Sequence, residues 1–228
     1  MYHLFCSDRA FLVFVNHNDV DFVSDRPGTG KTVTIVEAMR QIILRDSNAR
    51  ILACAPSNSA ADLIAERLRD NLSPKQLLRL NAPSRSKDQL PKSLERFSYI
   101  NSEGTFSVPP LATLSQFRII VSTCLSASVP YGIGMTRGHF SHIFLDEAGQ
   151  ACEPEAMVPI KTMADNRTNI VIAGDPKQLG PIIRSTLASQ LGLGISYLDR
   201  LMACDVYDVI KGNGVRWATF LRARKVRY

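Results

Sequence analysis

Four short apolar runs constrain the fold of this chain more than any other feature, because each ends in small, polar or acidic residues. The runs are residues 51–55, 119–121, 143–145 and 170–173. Such runs, without polar alternation, are typical of parallel strands buried on both faces. Helical patterns at residues 31–44 and 60–68 accompany them. The sequence therefore predicts an α/β fold, with a parallel β-sheet flanked by helices on both faces and ligands at the carboxyl ends of its strands.

A phosphate-binding loop is indicated between the apolar pair at 22–23 and the helical pattern that begins at residue 31. Its residues are Pro27, Gly28, Thr29, Gly30, Lys31 and Thr32. The glycines let backbone N–H groups surround phosphates, and the helix N-terminus adds partial positive charge. Lys31 is predicted to reach the β and γ phosphates of a nucleotide, and the hydroxyl of Thr32 is predicted to bind magnesium.

The residues just before this loop depart from the strict pattern, which has glycine at position 25. This chain has Asp25, followed by Arg26. A carboxylate adds like charge beside a triphosphate, and an L-residue resists a turn that glycine permits. The sequence therefore predicts a weakened affinity for nucleotide, which the double substitution Asp25→Gly and Arg26→Pro is expected to improve.

Two adjacent carboxylates, Asp146 and Glu147, follow the third apolar run. Phosphoryl transfer depends on positioning and on charge neutralisation. We expect Asp146 to hold magnesium together with Thr32, and Glu147 to orient or deprotonate the attacking water. An ordinary helix N-terminus rich in acids is the alternative interpretation, and the phosphate-binding loop upstream favours the catalytic one.

A polar turn follows the fourth apolar run and contains Gly174, Asp175 and Gln178. Gln178 is predicted to touch the γ phosphate or the attacking water. By itself the segment Gly-Asp-Pro indicates only a turn. Lys31, Asp146, Glu147 and Gln178 form the predicted catalytic set, and we expect them to meet at one rim of the sheet.

Five segments together resemble motifs I, Ia, Ic, II and III of the Upf-type superfamily 1 RNA helicases, in order and in spacing. They are residues 27–32, 55–62, 121–124, 146–150 and 174–181. Within that group the chain is most similar to the Armitage and Moloney-virus-ten silencing helicases. That similarity is carried by residues 80–85, by the Asp-Glu-Ala-Gly form of motif II and by residues 191–201.

The resemblance implies a RecA-like P-loop NTPase domain, the first motor domain of such a helicase, that binds ATP and Mg²⁺. It places Gln150 and Asp175 at the nucleotide. It also places Ser57, Asn58 and Thr123 along a single strand of RNA, with DNA as another possible ligand. For Ser57 and Asn58, helix capping is an alternative role.

The resemblance covers roughly residues 22–203 and implies one motor domain over 22–204, with an irregular surface insertion at about 81–117. Residues 1–21 form a poorly defined N-terminal segment, and residues 205–228 form a divergent basic tail. Motifs IV to VI of a second RecA domain do not follow. Because an arginine finger contributes about 10³- to 10⁵-fold to the rate in related enzymes, we expect feeble ATP hydrolysis and no unwinding by the 228-residue chain.

Charge, cysteine usage and hydropathy indicate which other kinds of site and location the sequence favours. Six of the 27 basic residues lie in 211–228, which contains no acidic residue, so the rest of the chain has 21 basic and 21 acidic residues. The five cysteines include no Cys-x-x-Cys pair, so neither a zinc site nor a disulfide framework is predicted. No apolar run reaches the roughly 18 residues of a membrane span. A reducing compartment fits this cysteine usage. The resemblance to the silencing helicases implies a cytoplasmic location, and we expect a monomer.

Two other functions remain open at this stage. One is a module that binds nucleotide, RNA or a protein partner without turnover. The other is a P-loop ATPase unrelated to helicases, which motifs Ia and III disfavour. Single-turnover ATP hydrolysis with and without single-stranded RNA separates the helicase motor from the non-catalytic module. Absence of any effect of RNA on nucleotide binding would favour the unrelated ATPase.

Overall fold

The computed structural model describes residues 13–15, 22–23, 31–175 and 179–204. Seven strands form one sheet in the order β1-β7-β6-β3-β5-β4, with β2 paired to β7. All pairings are parallel except that of β1 with β7. The strands are β1 (Val13–Val15), β2 (Phe22–Val23), β3 (Ile51–Ala55), β4 (Leu77–Arg79), β5 (Ile119–Thr123), β6 (His142–Leu145) and β7 (Asn169–Ala173).

Helices connect the strands and cover the sheet. They are α1 (Lys31–Arg45), α2 (Asn58–Leu68), α3 (Leu111–Leu114), α4 (Val129–Gly132), α5 (Glu153–Met163), α6 (Thr186–Ala188) and α7 (Tyr197–Met202). Among these described helices, none combines the length and the apolar character that crossing a membrane demands. The parallel sheet with helices on both faces confirms the predicted α/β fold.

Both central helices begin close to the predicted positions. Helix α1 begins at Lys31, as the apolar spacing indicates, and ends one residue beyond the predicted range. Helix α2 begins two residues earlier than predicted, at Asn58, because the side chain of Ser57 accepts a hydrogen bond of 3.2 Å from the backbone N–H of Ala60. That cap satisfies one of the N–H groups that a first helical turn leaves without a partner.

The central strands are buried on both faces, which explains their lack of polar alternation. In β3, Ile51 and Ala53 belong to the core beneath α1 and α2. Leu52 and Cys54 belong to the second core, which includes residues of α5 and α7. Burial also raises the pKa of the Cys54 thiol to about 12. The four cysteines that the structure describes are free.

The region at about 81–117, which the sequence predicts to be an irregular surface insertion, does not lie entirely on the surface. It contains two 3-10 helices, Lys87–Gln89 and Lys92–Phe97. Four of its apolar side chains are buried in the same core as α1 and α2, namely Leu90, Leu94, Phe97 and Phe106. The prediction of a surface insertion was therefore wrong for these four residues. The prolines and scattered charges of the segment indicate an exposed loop, and the isolated apolar residues between them form no periodic pattern that predicts burial.

Candidate nucleotide and nucleic-acid site

Strand register brings the predicted functional segments to one rim of the sheet. Ala55 at the end of β3 pairs with Thr123 at the end of β5. Cys54 pairs with Leu145 of β6, and Leu145 in turn pairs with Ile172 of β7. Because these strands are parallel, the polar segments that follow them leave the sheet side by side.

The first turn of α1 contacts the acidic pair directly. The hydroxyl of Thr32 donates a hydrogen bond of 2.8 Å to Oδ2 of Asp146. Asp146 is only 2% exposed, and its backbone N–H donates to the carbonyl oxygen of Cys54 at 2.8 Å, which continues the pairing of β6 with β3. The two residues predicted to hold magnesium therefore lie together at the rim.

Burial raises the pKa of Asp146 to about 6. That value is the net result: besides burial, the hydrogen bond from Thr32 lowers the pKa, the charge of Glu147 raises it, and the positive charge of Lys31 lowers it. Lys31 is itself only 6% exposed. A nearby cation favours the ionised form of a carboxyl group, so this position suits a carboxylate that pairs with positive charge.

Glu147 has a left-handed backbone, with φ 54° and ψ 34°. It is the one non-glycine residue with positive φ in the part of the chain that the structure describes. Its N–H donates to Oδ1 of Asp146 at 2.9 Å, and its Oε2 accepts a hydrogen bond of 3.2 Å from Nε2 of Gln150. Such a conformation costs about 1–3 kcal/mol and is common at active sites. Here it turns the Glu147 carboxylate away from the strand and toward Gln150.

Two glycines allow the acidic turn, residues 146–150, to contact the segment after β7. A Cβ atom on Gly174 would lie 2.7 Å from the backbone nitrogen of Gly149, and one on Gly149 would lie 2.8 Å from the carbonyl oxygen of Asp175. Only glycine fits at such distances. Asp175 is consequently held against the acidic turn and is 4% exposed.

Several predicted nucleotide contacts lie outside the described residues. They are Gln178 and the loop residues Pro27, Gly28, Thr29 and Gly30, together with the unusual Asp25 and Arg26. The elements on either side of the loop do match its expected context, since β2 precedes it and α1 follows it.

The predicted nucleic-acid residues lie at the same rim, beyond β3 and β5. Ser57 caps α2, so the capping alternative is confirmed for this residue. Asn58 does not cap the helix, and its Oδ1 accepts a hydrogen bond of 3.0 Å from Nη2 of Arg79. The hydroxyl of Thr123 bonds with that of Ser126 at 3.1 Å.

A cleft of about 570 Å³ lies at the same rim of the sheet. Ser57 and Gln150 both line it, so it lies between the predicted nucleic-acid residues and the acidic turn. The other lining residues are Pro56, Cys152, Glu155, Leu179, Gly180, Pro181, Ile182 and Ile183.

A buried ionic cluster lies beside Asn58 and was not predicted from the sequence. Asp62 on α2 contacts the guanidinium groups of Arg79 and Arg85, and all three residues are buried. The sequence does contain one sign of this cluster, because Arg79 is a single arginine among the leucines of residues 77–80. A charge in a buried strand needs a partner, and Asp62 is the last residue of the motif Ia segment, residues 55–62.

The oxygen ligands at the rim fit magnesium better than a transition metal. No group of three or more His, Cys, Asp or Glu side chains that could hold a metal occurs among the described residues. The hydroxyl of Thr32 and the carboxylate of Asp146 are hard oxygen ligands. Magnesium commonly binds one or two carboxylates together with substrate phosphates, and this pair would supply the protein's share of such a set.

The sheet order and the rim of polar segments define a RecA-like domain of the P-loop NTPase class. A family model described as an AAA domain matches residues 6–105 and 110–186. The chain belongs to this family, and the expected resemblance to the Armitage and Moloney-virus-ten group of superfamily 1 helicases is confirmed by its curated relatives.

Three relatives illustrate the similarity. RNA helicase Mov10l1 of Homo sapiens is 45% identical over 184 residues, covering 80% of this chain and 15% of that protein. Putative helicase mov-10-B.1 of Danio rerio is 47% identical over 179 residues, with 77% and 18% covered. Probable RNA helicase armi of Drosophila melanogaster is 36% identical over 199 residues, with 79% and 17% covered. The chain therefore spans less than one fifth of the length of these relatives.

Among solved structures, the complex of the Arterivirus nonstructural protein 10 helicase with DNA overlaps 79% of this chain and 34% of that chain. The sequence identity is 17% and the TM-score is 0.41. A similarity at this level has no bearing on function.

Proposed function

We propose that this chain is the ATP- and magnesium-binding first motor domain of an ATP-dependent RNA helicase. The observation that carries the proposal is the contact between Thr32 and Asp146, because it joins the end of the phosphate-binding loop to the acidic turn. The relatives named as RNA helicases support the choice of reaction.

The side chains at the rim have distinct roles in this proposal. Lys31 pairs with the β and γ phosphates of ATP, and Thr32 and Asp146 hold the magnesium ion. Bound magnesium supplies neutralisation of the phosphate charge. Gln150 and Asp175 line the nucleotide site, as does the phosphate-binding loop, and Gln178 senses the γ phosphate.

Glu147 is the proposed residue that orients the attacking water or accepts its proton. Its strained backbone places the carboxylate beside Gln150 rather than in the sheet. A general base contributes about 10²- to 10⁴-fold to a rate. Glu147→Gln is therefore expected to retain ATP binding and to lose hydrolysis by about that factor.

The nucleic-acid part of the proposal places single-stranded RNA across Ser57, Asn58 and Thr123. The pairing of Ala55 with Thr123 supports this arrangement, because it brings the three residues to neighbouring strand ends. Strand β3 also pairs with β6, which ends at the acidic turn. The acidic pair after β6 is thus one strand away from the proposed RNA contacts after β3.

The test combines binding and turnover. We expect ATP affinity to depend on Mg²⁺, and RNA to increase single-turnover hydrolysis, in the wild-type chain but not in Glu147→Gln. Glu103→Gln, a change of an exposed carboxylate, serves as the matched control. Binding of ATP and RNA without any turnover would support the non-catalytic alternative, and loss of Mg²⁺ dependence would contradict the proposal. Single-stranded DNA in place of RNA tests the nucleic-acid preference.

The cellular part of the proposal is a monomer that acts in the cytoplasm in RNA silencing. Its support is the family resemblance. Imaging of the tagged chain in cells tests the compartment, and a sedimentation experiment tests the monomeric state.

A further inference from the structure

Arg79 lies at the centre of the buried ionic cluster and makes three different hydrogen bonds. It is 0% exposed in β4. Its Nε donates to Oδ1 of Asp62 at 2.8 Å, and its Nη1 donates to the carbonyl oxygen of Leu80 at 2.7 Å. Its Nη2 donates to Oδ1 of Asn58 at 3.0 Å. Two of these bonds hold the guanidinium group against the buried oxygens of Asp62 and Leu80, and the third joins it to Asn58, which is predicted to contact RNA.

A second arginine holds the other side of Asp62. Nη1 of Arg85 donates to Oδ1 of Asp62 at 2.9 Å and to Oδ1 of Asn81 at 2.7 Å, and its Nη2 donates to Oδ2 of Asp62. None of these hydrogen bonds of Arg85 involves Asn58. Two guanidinium groups therefore share one carboxylate, which leaves an excess of positive charge buried beside the start of α2.

The chemistry of the guanidinium decides which way the amide of Asn58 faces. A guanidinium group has donors and no acceptor, so the atom of Asn58 that faces Arg79 must be the oxygen. The amide nitrogen with its two N–H groups is then directed away from Arg79, and Asn58 is an exposed residue. A phosphodiester oxygen only accepts hydrogen bonds, so this orientation is the one that suits a nucleic-acid backbone.

We propose that Arg79 is a positioning residue that holds the Asn58 amide with its N–H groups outward, ready to donate to the phosphodiester backbone of RNA. This inference rests on the proposed function. Without Arg79, an exposed asparagine amide would occupy both orientations, because its terminal torsion is broad and roughly two-fold. Binding would then have to order it, which weakens affinity.

The experiment is a double-mutant cycle on the full 228-residue chain. Arg79→Lys retains a positive charge, but one ammonium group cannot bond Asp62, Leu80 and Asn58 in the same geometry. It is introduced into the wild-type chain and into Asn58→Ala. The dissociation constant for a labelled single-stranded RNA is measured by fluorescence anisotropy, with the free energy of unfolding and the affinity for Mg-ATP measured alongside.

We expect Arg79→Lys to weaken RNA binding by about three- to tenfold in the wild-type chain and to have almost no effect when Asn58 is already alanine. Affinity for Mg-ATP is expected to stay unchanged. Arg85→Lys is the matched control, since it disturbs the same buried carboxylate without touching Asn58. It should lower stability while changing RNA affinity by less than about twofold.

Asn58→Asp provides a second test that does not depend on the folding of Arg79→Lys. An aspartate retains an acceptor for Arg79 and removes the outward donor. The proposal expects stability equal to or above that of the wild type, and RNA binding at least as weak as in Asn58→Ala. Wild-type RNA affinity in Asn58→Asp would overturn the positioning role.

The remaining outcomes separate this inference from the proposed function. If the wild-type chain binds RNA but Arg79→Lys weakens binding equally with and without Asn58, only the positioning role is wrong. If Asn58→Ala binds RNA as tightly as the wild type, the proposed contact of Asn58 with RNA is wrong together with the positioning role, whereas the ATP-binding part of the proposed function is unaffected. If the wild-type chain binds Mg-ATP and no RNA, the nucleic-acid part of the proposed function is wrong, and the role of Arg79 is wrong with it.

Discussion

The hydroxyl of Thr32 lies 2.8 Å from the carboxylate of Asp146, although 114 positions separate the two residues in the chain. One belongs to the first turn of α1 and the other follows β6 directly. Each is a weak signal by itself, since hydroxyls cap helices and carboxylates favour helix N-termini. Their contact turns two separate sequence patterns into one candidate metal site.

Removal of the Thr32 hydroxyl should uncouple nucleotide binding from magnesium. Thr32→Val retains the shape of the side chain and is expected to weaken Mg-ATP binding by about tenfold or more, since a lost bond to a charged group is worth about 1.5–3 kcal/mol. Binding measured in EDTA should change little. Thr32→Ser keeps the hydroxyl and should bind Mg-ATP nearly as well as the wild type, and equal losses in both variants would contradict the role of the hydroxyl.

Asp146→Asn should stabilise the metal-free protein near neutral pH. Burial raises the pKa of Asp146 from 3.8 to about 6, so the folded state binds more protons than the unfolded state between those values. Stability is then lost as the pH rises through that window. Asparagine avoids this loss, and the gain should reach at most roughly 3 kcal/mol above pH 6 and vanish below about pH 4.

Urea unfolding in EDTA between pH 4 and pH 8 measures this difference. Asp165→Asn is a control of opposite sign, because the backbone N–H of Arg167 lowers the pKa of Asp165. The stability that Asp165 contributes is present above its ordinary pKa and is lost as the pH falls. Parallel pH profiles for the two variants would contradict the burial of Asp146 as the cause.

Gly174→Ala should be strongly destabilising. The new Cβ would lie 2.7 Å from both the backbone nitrogen of Gly149 and Cδ2 of Leu198. Overpacking against backbone typically costs about 1–3 kcal/mol and occasionally more. Gly132→Ala is the control, since nothing lies within 4 Å of its Cβ position and alanine favours a helix by up to about 1 kcal/mol. Thermal unfolding compares the two variants, and similar midpoints would disprove the close approach of the two turns.

The apolar contacts of residues 81–117 should contribute to global stability. Leu94 is 0% exposed, so Leu94→Ala is expected to cost about 2–5 kcal/mol. Leu125 is 62% exposed, and Leu125→Ala should change stability by less than about 0.5 kcal/mol. Chemical denaturation measures both. An unfolding free energy for Leu94→Ala close to that of the wild type would restore the interpretation of this region as a surface insertion.

The alternation of strands and helices could be predicted from the sequence because it depends on local patterns. The apolar run at 51–55 and the helical spacing at 31–44 are short-range signals, and the structure has β3 and α1 at nearly the same bounds. The order of the motifs also determined the family. Both kinds of information are carried by residue types at fixed spacings along the chain.

Contacts between distant segments were decided only by the tertiary structure. The sequence contains Asp62, Arg79 and Arg85 without indicating that two guanidinium groups share one carboxylate beside Asn58. It also gives no sign of the left-handed backbone at Glu147. The physical reason is that burial, electrostatic pairing and steric exclusion depend on distances across the sheet, and strand register, not local spacing, sets those distances.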